Sequence, residues 1–289
     1  MDDQANGLRR LVGQRQPSRK GSPQSGPRLI LLTGGKGGTG TTTIAVGLAT
    51  AAAQCGCEIL LVDANRHGGD VATLCQVDEP WTIADVLSSR ATAGDAIRQG
   101  PRRLRVLPGA WGQENLDETS DADHRRLIEQ LRVLRPAADY IIVDGGAGSG
   151  RALSRFWEVA DSVVAVTTAE SNAVMDTYAS IKLLARRGNA PCVSALVNRA
   201  PSPRAAEEVY DRLARSCRRF LEVDLDYAGY VSERPRWFGR PVAGSSLMVT
   251  AGRTGRQIRR IAEELMSVAG GHPGESQPSG PPAAERMIA

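Results

Sequence analysis

Six short runs of the chain are almost continuously apolar: RLILLT (28–33), EILLVD (58–63), LRVLP (104–108), YIIVD (140–144), SVVAVT (162–167) and CVSALV (192–197). Runs of this length, rich in β-branched residues, read as strands covered on both faces; a half-exposed strand would alternate apolar and polar. Between them, apolar residues fall at helical spacing in TTTIAVGLATAAAQ (41–54), DADHRRLIEQLRVLR (121–135) and NAVMDTYASIKLLARR (172–187). The same spacing recurs in SPRAAEEVYDRLARSCRRFLE (202–222) and TGRQIRRIAEELMSV (254–268). Strand alternating with helix predicts a doubly wound, mostly parallel α/β sheet flanked by helices on both faces, because parallel neighbours need a crossover between them. No internal repeat is evident.

The flanks have another character. LVGQRQPSRKGSPQSGP (11–27) and the last stretch of the chain are polar and rich in Gly, Pro and Ser, a composition that cannot bury a core. The expected organisation is an N-terminal segment with a flexible linker (1–27), one α/β domain (28–268) and a disordered tail (269–289). With 289 residues, 41% hydrophobic and 24% charged, the chain fits a globular protein, and a net charge of +4 does not imply nucleic acid. No apolar run reaches the roughly 18 residues that span a bilayer, and MDDQANGLRR lacks the apolar core of a secretory signal. Five cysteines without metal spacing suggest reduced thiols in a cytosol, with Cys55 and Cys57 packing at a helix end.

Chemistry enters at GGKGGTGTTT (34–43), between the first strand and the first helix. That is the context of a phosphate-binding loop. Glycines let a backbone wrap an anion, and the N–H groups opening the next helix face it with the helix dipole behind them. Gly35 and Gly40 match the pattern G-x-x-x-x-G-K-[ST], and Thr42 takes the Mg2+-ligating position, but Thr41 stands where the lysine belongs. A lysine appears earlier, at Lys36; Gly37, Gly38, Thr39 and Thr43 complete the expected nucleotide contacts. Asp63 ends the second run and Asp144 the fourth, the usual places for carboxylates that hold Mg2+. Gly148 lies where an amide can sense a γ-phosphate, and Asn198 where an amide can read adenine through paired donor and acceptor. For either aspartate alone a helix cap or turn is the ordinary alternative.

KGGTGTTT resembles the deviant Walker A loop of the MinD/ParA family of P-loop ATPases, and the resemblance extends over about residues 28–268. In that family the early lysine, here Lys36, reaches across an ATP-bound dimer to the partner's phosphates; this implies ATP, Mg2+ and a homodimer. VTTAESNAVMDTYASIKLL (166–184) and RRFLEVDLDYAGYV (218–231) are similar to segments of the flagellar number and placement regulators, the FlhG/FleN/YlxH group. DQANGLR (3–9) is similar to that group's activator segment, which binds the GTPase FlhF and stimulates hydrolysis. The resemblance implies Asp3, Gln4, Leu8 and Arg9 as partner-binding residues, with Gln4 implicated in the stimulation.

The chain also departs from the family. Thr41 removes a charge-assisted contact worth roughly 1.5–3 kcal/mol, or about ten- to a hundredfold in affinity. The chain has only Lys20, Lys36 and Lys182, so a lysine kept in the loop suggests that a compact ammonium is needed there. The family's usual strand-end pattern is D-x-D, whose second carboxylate helps to activate water; here it reads Asp63-Ala64-Asn65. An amide can position water but cannot accept a proton, and Asp70 lies nearby in sequence. The catalytic set Lys36, Asp63 and Asn65 therefore predicts ATP binding with weak hydrolysis. GYVSERPRWFGRPVAG (229–244) also differs, on the adenine side, and His67 reads as a polar loop residue.

The function expected is an ATP-dependent dimerising switch that regulates flagellar number or placement through a FlhF-type GTPase. Two alternatives stay open. Thr41 and HGGDVATL (67–74) resemble CpaE/TadZ polar localisation factors of pili and secretion machines. Late arginines such as Arg204, Arg212, Arg215 and Arg219 suit a DNA-riding partition ATPase, not favoured because Glu207, Glu208 and Asp211 are interspersed. Ile258, Ile261, Leu265 and Val268 form a stripe that reads as core-facing, so weak or partner-dependent association with the inner face of the cell membrane is expected of a cytoplasmic protein.

Overall fold

Consecutive residues of each central strand point to opposite faces, and both faces are apolar. In β1 (Arg28–Gly34), Leu29 and Leu31 enter one core while Ile30 and Leu32 enter another. The same division separates Leu60 and Val62 from Ile59 and Leu61 in β2 (Ile59–Asp63), and Ile141 and Val143 from Ile142 in β5 (Tyr140–Ala147). Two apolar faces require two helical layers, and the chain supplies them. The computed structural model describes residues 26–66, 70–110, 119–134, 136–186, 191–233 and 252–270. The expectations for Asp3, Gln4, Leu8 and Arg9, for His67, for the linker over 11–25 and for most of 229–244 and 269–289 lie outside these residues.

The remaining strands are β3 (Arg98–Gln99), β4 (Arg105–Leu107), β6 (Ser162–Thr168), β7 (Cys192–Ala200) and β8 (Leu225–Ser232). They form one eight-stranded sheet in the order β3-β4-β2-β5-β1-β6-β7-β8, parallel throughout except for β3 against β4. β1 lies between β5 and β6, so the loop that follows it opens at the centre of the sheet. On one face lie α1 (Thr41–Gln54), α2 (Asp70–Cys75) and α9 (Gly252–Gly270). Ile258 and Ile261 of α9 are buried, with Leu265 partly buried beside them, as the core-facing stripe predicts. The other face carries α3 (Ile83–Leu87), α4 (Ala93–Ala96), α5 (Asp121–Val133), α6 (Arg151–Val159), α7 (Ser171–Ala185) and α8 (Pro203–Leu221). Cys55 caps the end of α1 in an exposed position, and Cys57 packs at the edge of the core.

Candidate functional site: a phosphate-loop groove over two buried aspartates

The loop between β1 and α1 forms one wall of a groove of about 350 Å3. Lys36, Gly37, Gly38, Thr39, Gly40, Thr41, Thr42 and Thr43 line that wall, and Asn65, Asp70, Gly146, Ala147 and Arg199 line the rest. The loop is packed as well as exposed. A Cβ on Gly35 would stand 2.0 Å from the Thr177 backbone nitrogen, so α7 leaves room only for glycine. Gly40 begins α1 with φ 86°, in the left-handed region, and a Cβ there would meet Asn198 Nδ2 at 2.4 Å.

The lysine position is filled by an internal brace. Thr41 is buried, and its hydroxyl hydrogen-bonds that of Thr39 at 3.1 Å; Thr39 in turn donates to the Lys36 carbonyl at 3.2 Å. The Lys36 ammonium turns to the start of α7, donating to Glu170 Oε2 (2.6 Å) and Asn172 Oδ1 (3.1 Å). Lys36 holds the Glu170 carboxyl below its usual range, with Arg199 adding to the effect.

Beneath the loop, parallel pairing puts Asp63 and Asp144 side by side at the ends of β2 and β5. Both are fully buried. Asp63 accepts from the Asn65 N–H (3.1 Å) and the Val71 N–H (3.4 Å). Asp144 Oδ1 accepts from the Gly146 N–H (3.0 Å), and the Thr42 hydroxyl lies near enough to favour the charged form of this carboxyl. Burial, then the neighbouring Asp144, pushes the Asp63 carboxyl well above the usual range. Burial likewise raises Asp144, to about 6, against the lowering effect of Thr42 and Gly146. Asp144 Oδ2 is buried without a hydrogen-bond partner. A divalent cation fits these residues: Thr42, Asp63 and Asp144 meet beside an unpaired buried carboxylate oxygen, where Mg2+ would neutralise charge on a bound polyphosphate. No group of three His, Cys, Asp or Glu among the described residues could hold a metal by itself, so the remaining ligands would be phosphate or water oxygens.

Two residues assigned from sequence are engaged differently from their expected roles. Gly148, expected to meet a γ-phosphate, donates its N–H to the Gly34 carbonyl at 3.2 Å and does not line the groove. Asn198, expected to read adenine, donates Nδ2 to the Thr39 carbonyl at 2.8 Å and is 7% exposed. Asn65 lies against Gly146 on the groove wall, with Asp70 beside it at the start of α2. Glu170 and Asn172 were not picked out from the sequence, and Arg199 only as one of the late arginines of a basic face. They lie 134 to 163 positions beyond Lys36 in the chain, and only the sheet brings them to the loop. Arg199 carries the one available signal, an arginine directly after a strand-end amide.

A family model described as "AAA domain" matches residues 27–190. The chain is 33% identical to the antiactivator FleN of Pseudomonas aeruginosa, over 71% of this chain and 73% of that protein. It is 27% identical to the flagellum site-determining protein YlxH of Helicobacter pylori, over 91% of this chain and 85% of that one. Its fold matches the septum site-determining protein MinD of Pyrococcus horikoshii, solved with Mg-ADP, with a TM-score of 0.66 at 24% identity, covering 84% of this chain and 98% of the other.

Proposed function

Because the chain belongs to the MinD/ParA family of P-loop ATPases, we propose that it is an ATP-dependent switch of the FlhG type, which dimerises on ATP and sets flagellar number or placement. The observation that carries the reading is the groove itself: a glycine-rich loop at a helix start, over two buried carboxylates paired at the ends of neighbouring strands. Similarity to FleN and YlxH supports the flagellar setting. The loop and Asn65 bind and orient the triphosphate and its water; Thr42, Asp63 and Asp144 hold Mg2+. Lys36 leaves Glu170 to reach the partner's phosphates. Hydrolysis is slow, because Thr41 bonds Thr39 rather than supplying a lysine and Asn65 cannot take a proton. The segment with Asp3, Gln4, Leu8 and Arg9 binds a FlhF-type GTPase, on the strength of its DQANGLR motif.

The test is ATP binding with mass analysis in solution, on wild type, Lys36→Ala and Thr41→Lys. Wild type should bind Mg-ATP and dimerise. Lys36→Ala should stay monomeric with ATP bound, and Thr41→Lys should tighten binding about ten- to a hundredfold. A wild type that binds no ATP overturns the reading. In the same series Gln4→Ala should abolish stimulation of the GTPase; unchanged stimulation rules out that partner role.

A further inference from the structure

Asn198 ends β7 with its side chain engaged at both ends. Nδ2 donates to the carbonyl of Thr39 in the phosphate loop (2.8 Å), and Oδ1 accepts the backbone N–H of Arg199 (2.9 Å). Arg199 adopts φ 53°, a left-handed backbone costly for a residue with a Cβ and kept only where the surroundings impose it. The Oδ1 bond holds that N–H, and Arg199 lines the groove. One amide therefore ties the phosphate loop to the turn that ends β7. Gly40 makes the contact possible, since its missing Cβ is the space that Nδ2 occupies.

We propose that Asn198 is a positioning residue for the phosphate loop: its amide clamps the Thr39 carbonyl and fixes the turn that presents Arg199, so that it governs binding of the triphosphate whatever the base. The inference deepens the proposed nucleotide-binding reading and rests on it for the ligand, not for the clamp. Binding to the base alone would leave the loop unaffected without nucleotide. Clamping the loop orients the N–H groups that meet phosphate, and so acts on any polyphosphate. The geometry favours the second role: one N–H of Nδ2 is committed to the Thr39 carbonyl and Oδ1 to the Arg199 N–H, so the amide is held to the loop before any ligand arrives.

Hydrogen exchange on the nucleotide-free protein tests the clamp without any ligand. Asn198→Ala should speed exchange of the amides over 36–43 by about three- to tenfold, the effect of one lost hydrogen bond, while far strands stay protected. Asn198→Ser serves as a milder variant if the alanine protein fails to fold. Affinities for Mg-ATP, Mg-GTP and Mg-tripolyphosphate should then fall by a common factor of about three to ten. Unchanged loop exchange, or a loss confined to ATP, overturns the inference and returns Asn198 to the adenine. A wild type that binds none of the three ligands overturns the nucleotide reading instead, while the exchange result still decides the clamp.

Discussion

At the scale of single residues, the decisive fact is that Asp63 and Asp144 are buried side by side with one carboxylate oxygen unpaired. Each folded carboxyl binds its proton more tightly than it would unfolded, through burial first. The folded state therefore holds more protons between the ordinary carboxylate range and about 6, and the stability of the ligand-free protein falls as pH rises through that window. Asp144→Asn removes one of the two charges. Its unfolding midpoint should rise at pH 7.5, a stabilisation on the order of 1–3 kcal/mol, and its stability should depend less on pH between pH 5 and 7.5. Calorimetry should show the same variant losing the Mg2+ contribution to ATP binding. A variant less stable than wild type at pH 7.5 would contradict this account. The two aspartates were legible in the sequence, because each closes an apolar run beside a phosphate-loop pattern. What each residue touches was less so: the Lys36–Glu170 contact and the Asn198–Thr39 bond join residues more than 130 positions apart.

At the scale of elements, α7 is the buttress of the loop. Gly35 sits where only a hydrogen fits against the Thr177 backbone, while Lys36 is tied to Glu170 and Asn172 at the same helix's start. The two contacts differ in kind. The Lys36–Glu170 side chains are 29% and 63% exposed, so water screens the pair and it adds little to stability. Lys36→Ala should leave the unfolding midpoint of the nucleotide-free protein nearly unchanged. Gly35→Ala forces backbone against backbone, and should cost about 1–3 kcal/mol together with ATP binding, read by thermal unfolding and calorimetry. A weak ionic tie on a packed support would let Lys36 leave Glu170, as the proposed dimer requires, while its loop stays in place. Of the elements, the six apolar runs and α1 were legible, because continuous apolar sequence leaves few alternatives to a covered strand. α6 was not picked out, although Ala152, Leu153, Phe156 and Trp157 form its buried side, because glycines crowd its start and it is only nine residues long. β3, two residues paired antiparallel to β4, has too little sequence to carry a periodicity. β8 shows a half-exposed pattern at the sheet's edge and was recognisable only through its likeness to a family segment.

For the whole molecule, the order of the strands sets what the fold can do. β1 and β5 lie adjacent in the middle of the sheet with β2 next to β5, which gathers the loop, Asp144 and Asp63 at one end. The loop and both aspartates are thus carried at the ends of buried strands, and the starts of α1 and α2 complete the groove. No helix among the described residues is long and apolar enough to cross a membrane. The last described element has a bearing on the first. α9 packs along α1, with Ile258, Ile261 and Ala262 closing the core that Ile44, Ala45 and Leu48 begin. A chain cut after residue 233 would keep the loop and both aspartates but leave the outer side of α1 bare. It should be recovered as aggregate or in a chaperone complex, and a peptide spanning 252–270 added in trans should restore part of the soluble fraction. Such a contact joins the two ends of the polypeptide and cannot form early. During synthesis, then, the ribosome releases the phosphate loop some two hundred residues before the helix that seals it. A nascent chain therefore carries its phosphate loop on a helix whose outer apolar side has no cover until the last described element emerges.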